Sequence, residues 1–161
     1  MKIGIISDTH DRIDNLAKAV KILKEKKIKV LIHCGDFCAP FMMTELAKFD
    51  GEVHCVFGNV DDRYLTTLKA EENKIKLHGD LAELELEGRK IAVNHFPRIG
   101  EILAHSKLYN AVFYGHTHKV DKRIINETLL LNPGELMGRL GKLTFAIYDT
   151  KSNNAEIVEI E

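Results

Sequence analysis

The sequence predicts an α/β protein in which two β-sheets pack face to face with helices outside, an α/β/β/α layering. Two observations predict it. In the first half, short runs rich in Ile and Val alternate with helical periodicity, the grammar of parallel strands with covering helices. From Lys76 that grammar changes to short alternating runs punctuated by turn residues, the mark of antiparallel β-structure. No linker, repeat or low-complexity tract interrupts the 161 residues, so residues 1–161 are expected to form one domain with a sizeable core.

Taken in order, Lys2–Ile6 reads as a strand. A helix is expected within Asp11–Lys27, where Leu16, Val20 and Leu23 repeat at i, i+4 and i+7 and Asp11 is a reasonable N-cap. Lys29–His33 is the next strand. Pro40 suits the first turn of a helix carried by Met42, Leu46 and Phe49 to about Asp50. Glu52–Phe57 is a third strand, and Tyr64, Leu65 and Leu68 mark a short helix. Leu81–Leu86 alternates apolar and acidic residues and turns at Glu87-Gly88 into Lys90–Asn94. A helix is expected at Ile99–Lys107. Strands at Ala111–Tyr114, Arg123–Ile125, Thr128–Leu131, Leu143–Asp149 and Ala155–Glu159 make an antiparallel tail, broken by the turns Asn132-Pro133-Gly134 and Ser152-Asn153-Asn154.

Bulk properties narrow the function. The 23 basic and 24 acidic side chains give a net charge of -1, which offers no bulk footprint for nucleic acid or anionic lipid. The opening Met1–Asp8 reaches an acid too early for a secretory signal, and no stretch approaches the ~20 apolar residues of a membrane span. A cytoplasmic protein is expected. Cys34, Cys38 and Cys55 suit neither a disulfide framework nor a structural zinc site, and are read as reduced, small apolar residues.

The chemistry lies in what ends the strands. Lys2–Ser7 ends in Asp8-Thr9-His10, and Lys29–Cys34 in Gly35-Asp36. Glu52–Phe57 ends in Gly58-Asn59, Lys90–Val93 runs into Asn94-His95, and Ala111–Tyr114 ends in Gly115-His116-Thr117-His118. In α/β folds ligands bind at the carboxyl ends of parallel strands. In an extended backbone, i and i+2 side chains point the same way, so each D-x-H or H-x-H pair could grip one cluster. Oxygen and imidazole donors without thiolate favour Mn, Fe, Zn, Co or Ni.

This ordered series of D-x-H, G-D, G-N, H and G-H-x-H resembles the calcineurin-like metallophosphoesterases. Ser7-Asp8-Thr9-His10, His33-Cys34-Gly35-Asp36, Gly58-Asn59, Tyr114–His118 and Asn132-Pro133-Gly134 are similar to the small bacterial and archaeal phosphodiesterase branch in particular. The resemblance implies two divalent metal ions, Mn foremost. Asp8, His10, Asp36 and His118 would surround one, and Asp36, Asn59, His95 and His116 the other. It further implies direct hydrolysis by a hydroxide bridging the metals, with Asp36, Asn59 and His95 catalytic through that hydroxide and phosphate positioning. Two divalent ions bring +4, of which Asp8, Asp36 and the hydroxide would remove about three, leaving a site that attracts an anionic ester.

The match has two departures. The family's fourth block is commonly His-Gly, often with a second histidine, but here Asn94-His95-Phe96-Pro97-Arg98 puts Pro97 at that place and an apolar wall beside the site. Arg98 could contact phosphate, though a surface arginine is the simpler reading. Val60 follows Asn59 where protein phosphatases have a leaving-group histidine, so esters with good leaving groups should be favoured. Asp61 is left open between orienting a ligand or water and capping the next helix. His33 could support the Asp36 loop, while His54, His78, His105 and Arg12 are assigned no role. The expected function is a phosphodiesterase acting on a small diester or nucleotide. A phosphomonoesterase on the same site, or a retromer-type scaffold of the same fold, is the alternative. Relatives are often oligomers, so a homo-oligomer is left open.

Overall fold

A computed structural model describes residues 1–161. The first half runs β1 (Lys2–Ile6), α1 (Ile13–Glu25), β2 (Val30–His33), α2 (Met42–Leu46), β3 (Glu52–Cys55), α3 (Arg63–Glu72) and β4 (Lys76–Leu77). The second runs β5 (Leu81–Leu86), β6 (Arg89–Asn94), α4 (Pro97–His105), β7 (Ala111–Phe113), β8 (Val120–Ile125), β9 (Thr128–Pro133), β10 (Thr144–Asp149) and β11 (Asn154–Glu159). The strands form a six-stranded sheet, β11-β10-β1-β2-β3-β4, and a five-stranded sheet, β5-β6-β7-β9-β8.

Side-chain alternation along the strands assigns each face to a layer. Ile3, Ile5 and Ile32 from one sheet and Ile91, Val93, Phe113, Leu129 and Leu131 from the other form the core between the sheets. Ile6 and Leu31 point the opposite way, onto Leu16 and Leu23 of α1 and Met42, Met43 and Leu46 of α2. Ala92, Val112 and Leu130 face outward from the second sheet onto Ala104 of α4. The result is the expected α/β/β/α order. No helix is long and apolar enough to cross a membrane.

Several expectations need correction. The second helix ends at Leu46 rather than near Asp50, with Phe41 as its N-cap and Pro40 outside it. The N-cap of α1 is Arg12, because the Asp11 carboxylate is turned away to accept from the Ala39 N–H at 2.9 Å. The two-residue β4 was not expected; it pairs parallel to β3. The tail is not wholly antiparallel, since β7 pairs parallel with both β6 and β9. That pairing brings the carboxyl end of β7 beside that of β6, at the edge where β1, β2 and β3 also end.

Candidate metal centre

All seven expected donors gather at this shared edge. The loops carrying them are laced by main-chain bonds: Asp8 N–H to Gly35 C=O at 3.1 Å, His10 N–H to Asp36 C=O at 3.1 Å, and Gly115 N–H to His95 C=O at 3.0 Å. The approach is close enough that two glycines are required. A Cβ at Gly58 would stand 2.0 Å from Asp36 Oδ1, and one at Gly115 would stand 2.0 Å from Ser7 Oγ. The backbone is not extended at the donors, contrary to expectation: Asp8, His10, Asp36, His116 and His118 all have positive φ, from 41° to 69°. His116 and His118 serve different clusters, whereas Asp8 and His10 share one.

One cluster is Asp8, His10 and His118; the other is Asp36, His95 and His116. In the first, Asp8 Oδ1 lies 3.5 Å from His118 Nε2 and 4.0 Å from His10 Nε2. In the second, Asp36 Oδ2 lies 3.3 Å from His95 Nε2, and Asn59 Oδ1 lies 3.1 Å from His95 Nε2 and 2.8 Å from His116 Nδ1. Asp36 Oδ2 is also 3.6 Å from His10 Nε2, while Oδ1 accepts from the Val60 N–H at 3.2 Å. A single carboxylate oxygen therefore faces both clusters, rather than one oxygen facing each.

The donor set fits a pair of divalent cations. Ligands about 2.0–2.2 Å from one ion are separated from each other by distances of this order. His10 Nε2 is buried with no hydrogen-bond partner, as expected of a nitrogen whose lone pair awaits a cation. Burial pushes the Asp8 carboxyl above its usual range, only partly offset by the Ser7 hydroxyl and the neighbouring His95 and His118. Burial acts the same way on Asp36, but the hydrogen bond and charge of His95 outweigh it and hold that carboxyl low. Burial lowers His10, whereas Asp36 raises His95 despite burial.

Residues behind the donors hold them in place. His95 Nδ1 donates to the Cys34 carbonyl at 2.8 Å. His33, fully buried, lies 3.0 Å from Thr9 Oγ1 through Nε2 and accepts from the Gly35 N–H at 3.1 Å through Nδ1. It thus supports the Asp36 loop. The question left open at Asp61 is answered: Asp62 caps α3, and Asp61 accepts from the N–H groups of Asp36, Cys38 and Gly58 at 3.1, 2.7 and 2.7 Å. Two contacts were missed by the sequence reading. Cys38 Sγ lies 3.3 Å from His10 Nδ1, so this cysteine is more than apolar filling. Glu135 Oε2 lies 2.6 Å from His118 Nδ1; its only sequence signal is its place directly after Asn132-Pro133-Gly134.

Phe96 packs against both His95 and His116, with ring centroids 5.2 and 5.3 Å apart, and forms the expected apolar wall. Pro97 starts α4, and Arg98 is exposed, as is Arg12, which pairs with Asp14. His54 and His78 bond each other at 2.9 Å on β3 and beside β4, away from these donors. Buried Cys34 and Cys55 match the apolar reading.

The sequence model of the family described as calcineurin-like phosphoesterase superfamily domain matches residues 1–153. A phosphodiesterase of Methanocaldococcus jannaschii is 32% identical over 166 residues, spanning 100% of both chains. A probable metallophosphoesterase of Methanothermobacter thermautotrophicus is 31% identical over 147 residues, which cover 83% of this chain and 76% of that one. Among solved structures, an archaeal phosphodiesterase superposes with a TM-score of 0.92 at 32% identity, covering 99% of this chain and 100% of that one. Vacuolar protein sorting 29 of Cryptosporidium parvum shares the fold with a TM-score of 0.69 at 18% identity, covering 99% and 96% of the two chains.

Proposed function

From the premise that this chain belongs to the calcineurin-like phosphoesterase superfamily, we propose that residues 1–161 form one catalytic domain, a metal-dependent phosphodiesterase for small diesters or nucleotides. The observation that carries the reading is Asp36 Oδ2, placed 3.3 Å from His95 Nε2 and 3.6 Å from His10 Nε2, at the junction of two three-residue donor clusters. In this reading Asp8, His10, Asp36 and His118 hold one cation and Asp36, Asn59, His95 and His116 the other, with manganese the first choice and Ni, Fe, Zn or Co open. Such a pair supplies Lewis acidity toward a phosphoryl oxygen and lowers the pKa of the attacking water.

The chain's own residues do the rest. Asn59 offers a neutral oxygen, so the second cluster keeps positive charge for an anionic ester. Phe96 covers one side of His95 and His116, with ring centroids 5.2 and 5.3 Å away, and narrows the approach of water from that side. No acid is positioned where Val60 follows Asn59, and Val60 itself is exposed, so esters whose leaving group needs no proton should react best.

The test is to reconstitute the metal-free protein with each metal, count ions per chain, and compare bis(p-nitrophenyl) phosphate with p-nitrophenyl phosphate. Two manganese ions and faster diester hydrolysis are expected. Faster monoester hydrolysis would reassign the substrate class. Well under two ions per chain without activity would leave a scaffold of the same fold. Asp36→Ala should abolish metal binding and turnover together.

A further inference from the structure

Glu135 follows the turn after β9, outside the seven donors, and none of its surface is exposed. A carboxylate so buried needs partners at both oxygens. Oε1 accepts from the backbone N–H groups of Arg139, Leu140 and Gly141 at 3.0, 2.7 and 2.7 Å. Oε2 lies 2.6 Å from His118 Nδ1. Three N–H donors converging on one oxygen stabilise the ionised carboxylate, so the short contact is a charge-assisted bond in which Nδ1–H donates. In the neutral ring, Nε2 then carries no proton. It faces Asp8 Oδ1 at 3.5 Å, lone pair toward lone pair, an arrangement that is repulsive until a cation stands between them.

We infer that Glu135 is a positioning residue for His118, fixing Nε2 as its ligating nitrogen and raising cation affinity at the Asp8–His10–His118 cluster alone. The other cluster has no counterpart. His95 Nδ1 leans on the neutral carbonyl of Cys34 at 2.8 Å, and the contact of His116 Nδ1 with Asn59 at 2.8 Å lies among the donors themselves, with no carboxylate behind the ring. A carboxylate behind an imidazole raises the basicity of its free nitrogen, and loss of such a partner typically costs about 10–100-fold in metal affinity. The same bonds tie the 139–141 loop to the site, so the loop's main chain sets the angle of the His118 ring. The affinity half of this inference rests on the proposed metal-dependent function; the tautomer half does not.

The test therefore has two arms. In the metal-free wild-type protein, at a pH where the ring is neutral, histidine 15N NMR, with His118 assigned by its loss in His118→Asn, should show the Nδ1–H tautomer. An Nε2–H tautomer overturns the inference without any variant having to fold. Glu135→Gln keeps the size and the acceptor at Oε1 but presents an amide N–H2 to Nδ1, which should switch His118 to Nε2–H. Calorimetric titration with Mn2+ should then show one of two sites weakened by about 10–100-fold and the other nearly unchanged. Equal weakening of both sites, or of neither, overturns the inference. If wild type takes up neither manganese nor Ni, Fe, Zn or Co, the proposed function falls, while the NMR arm still decides the Glu135–His118 pairing.

Discussion

Gly58→Ala should disable the site through one added methyl group. The new Cβ would stand 2.0 Å from Asp36 Oδ1, 2.4 Å from Asp36 N and 2.7 Å from Asp36 Cγ. Comfortable separation is about 3.5 Å, so Asp36 or the 58–60 loop must move by roughly 1–1.5 Å. The backbone nitrogen of Asp36 cannot swing away as a side-chain tip could, since it is held by Asp61 Oδ2 at 3.1 Å. Misplacement of about 1 Å at a reacting centre costs on the order of 100-fold in rate. Overpacking should cost about 1–3 kcal/mol, a fall in Tm of roughly 2–12 °C. Gly88→Ala is the matched control. It sits at φ +72° in the β5–β6 turn with open space around it, so the left-handed alanine should cost about 1–2 kcal/mol with no effect on turnover. The assay is bis(p-nitrophenyl) phosphate hydrolysis at saturating manganese, read beside thermal unfolding. Gly58→Ala turning over within about threefold of wild type would refute the claim that close approach at residue 58 sets the place of Asp36.

Three further outcomes are expected. Asp61→Asn puts an N–H2 group where carboxylate oxygens now accept from Asp36, Cys38 and Gly58, and should cost about 1–3 kcal/mol by thermal unfolding while lowering turnover. Burial holds the His33 imidazole down to about 3, below the ordinary 6.5, so between those values the unfolded chain binds the extra proton and stability falls as pH drops. His33→Gln should flatten that part of the stability–pH curve in urea titrations; an unchanged slope would contradict the assignment. Manganese at about 100 times Kd should stabilise by about 2.7 kcal/mol per site, raising Tm by roughly 5–11 °C for each filled cluster. An unshifted Tm would count against binding to the folded state.

The donors were legible because each stands directly after an apolar run, and strand ends in such folds converge. Asp8, Asp36, Asn59, His95 and His116 needed only the strand order to be placed. What lay beyond reading were the contacts made by loops to other loops. Glu135 is separated from His118 by 17 residues and Cys38 from His10 by 28, and nothing in local sequence says where their side chains aim. Asp61 and Asp62 are adjacent carboxylates with opposite duties, one joining the loops after β2 and β3 and the other capping α3. Only tertiary geometry separates them. The two-residue β4 is too short for any periodicity, and the parallel β7–β9 pairing arises because β8 lies beyond β9 at the sheet edge, which residue pattern does not show.

The inference from extended strand ends failed for a reason that bears on how the site works. Asp8, His10, Asp36, His116 and His118 occupy the left-handed region, where a residue with a side chain loses roughly 1–2 kcal/mol. Five such residues together approach the net stability of a typical domain, about 5–15 kcal/mol. Strain on that scale persists only where the surroundings over-determine the backbone. Here they do: Asp8 N–H is fixed to Gly35, His10 N–H to Asp36, and His116 N–H to the Asp8 carboxylate at 3.1 Å. The His116 bond lets Asp8 serve its own cluster while locking the strand end that supplies donors to both. An extended backbone at His116-Thr117-His118 would send both imidazoles one way and leave one cluster short of a donor. Left-handed φ alone does not divide a pair, since Asp8 and His10 share both that conformation and one cluster; His116 is set apart from His118 by its main-chain bond to the Asp8 carboxylate.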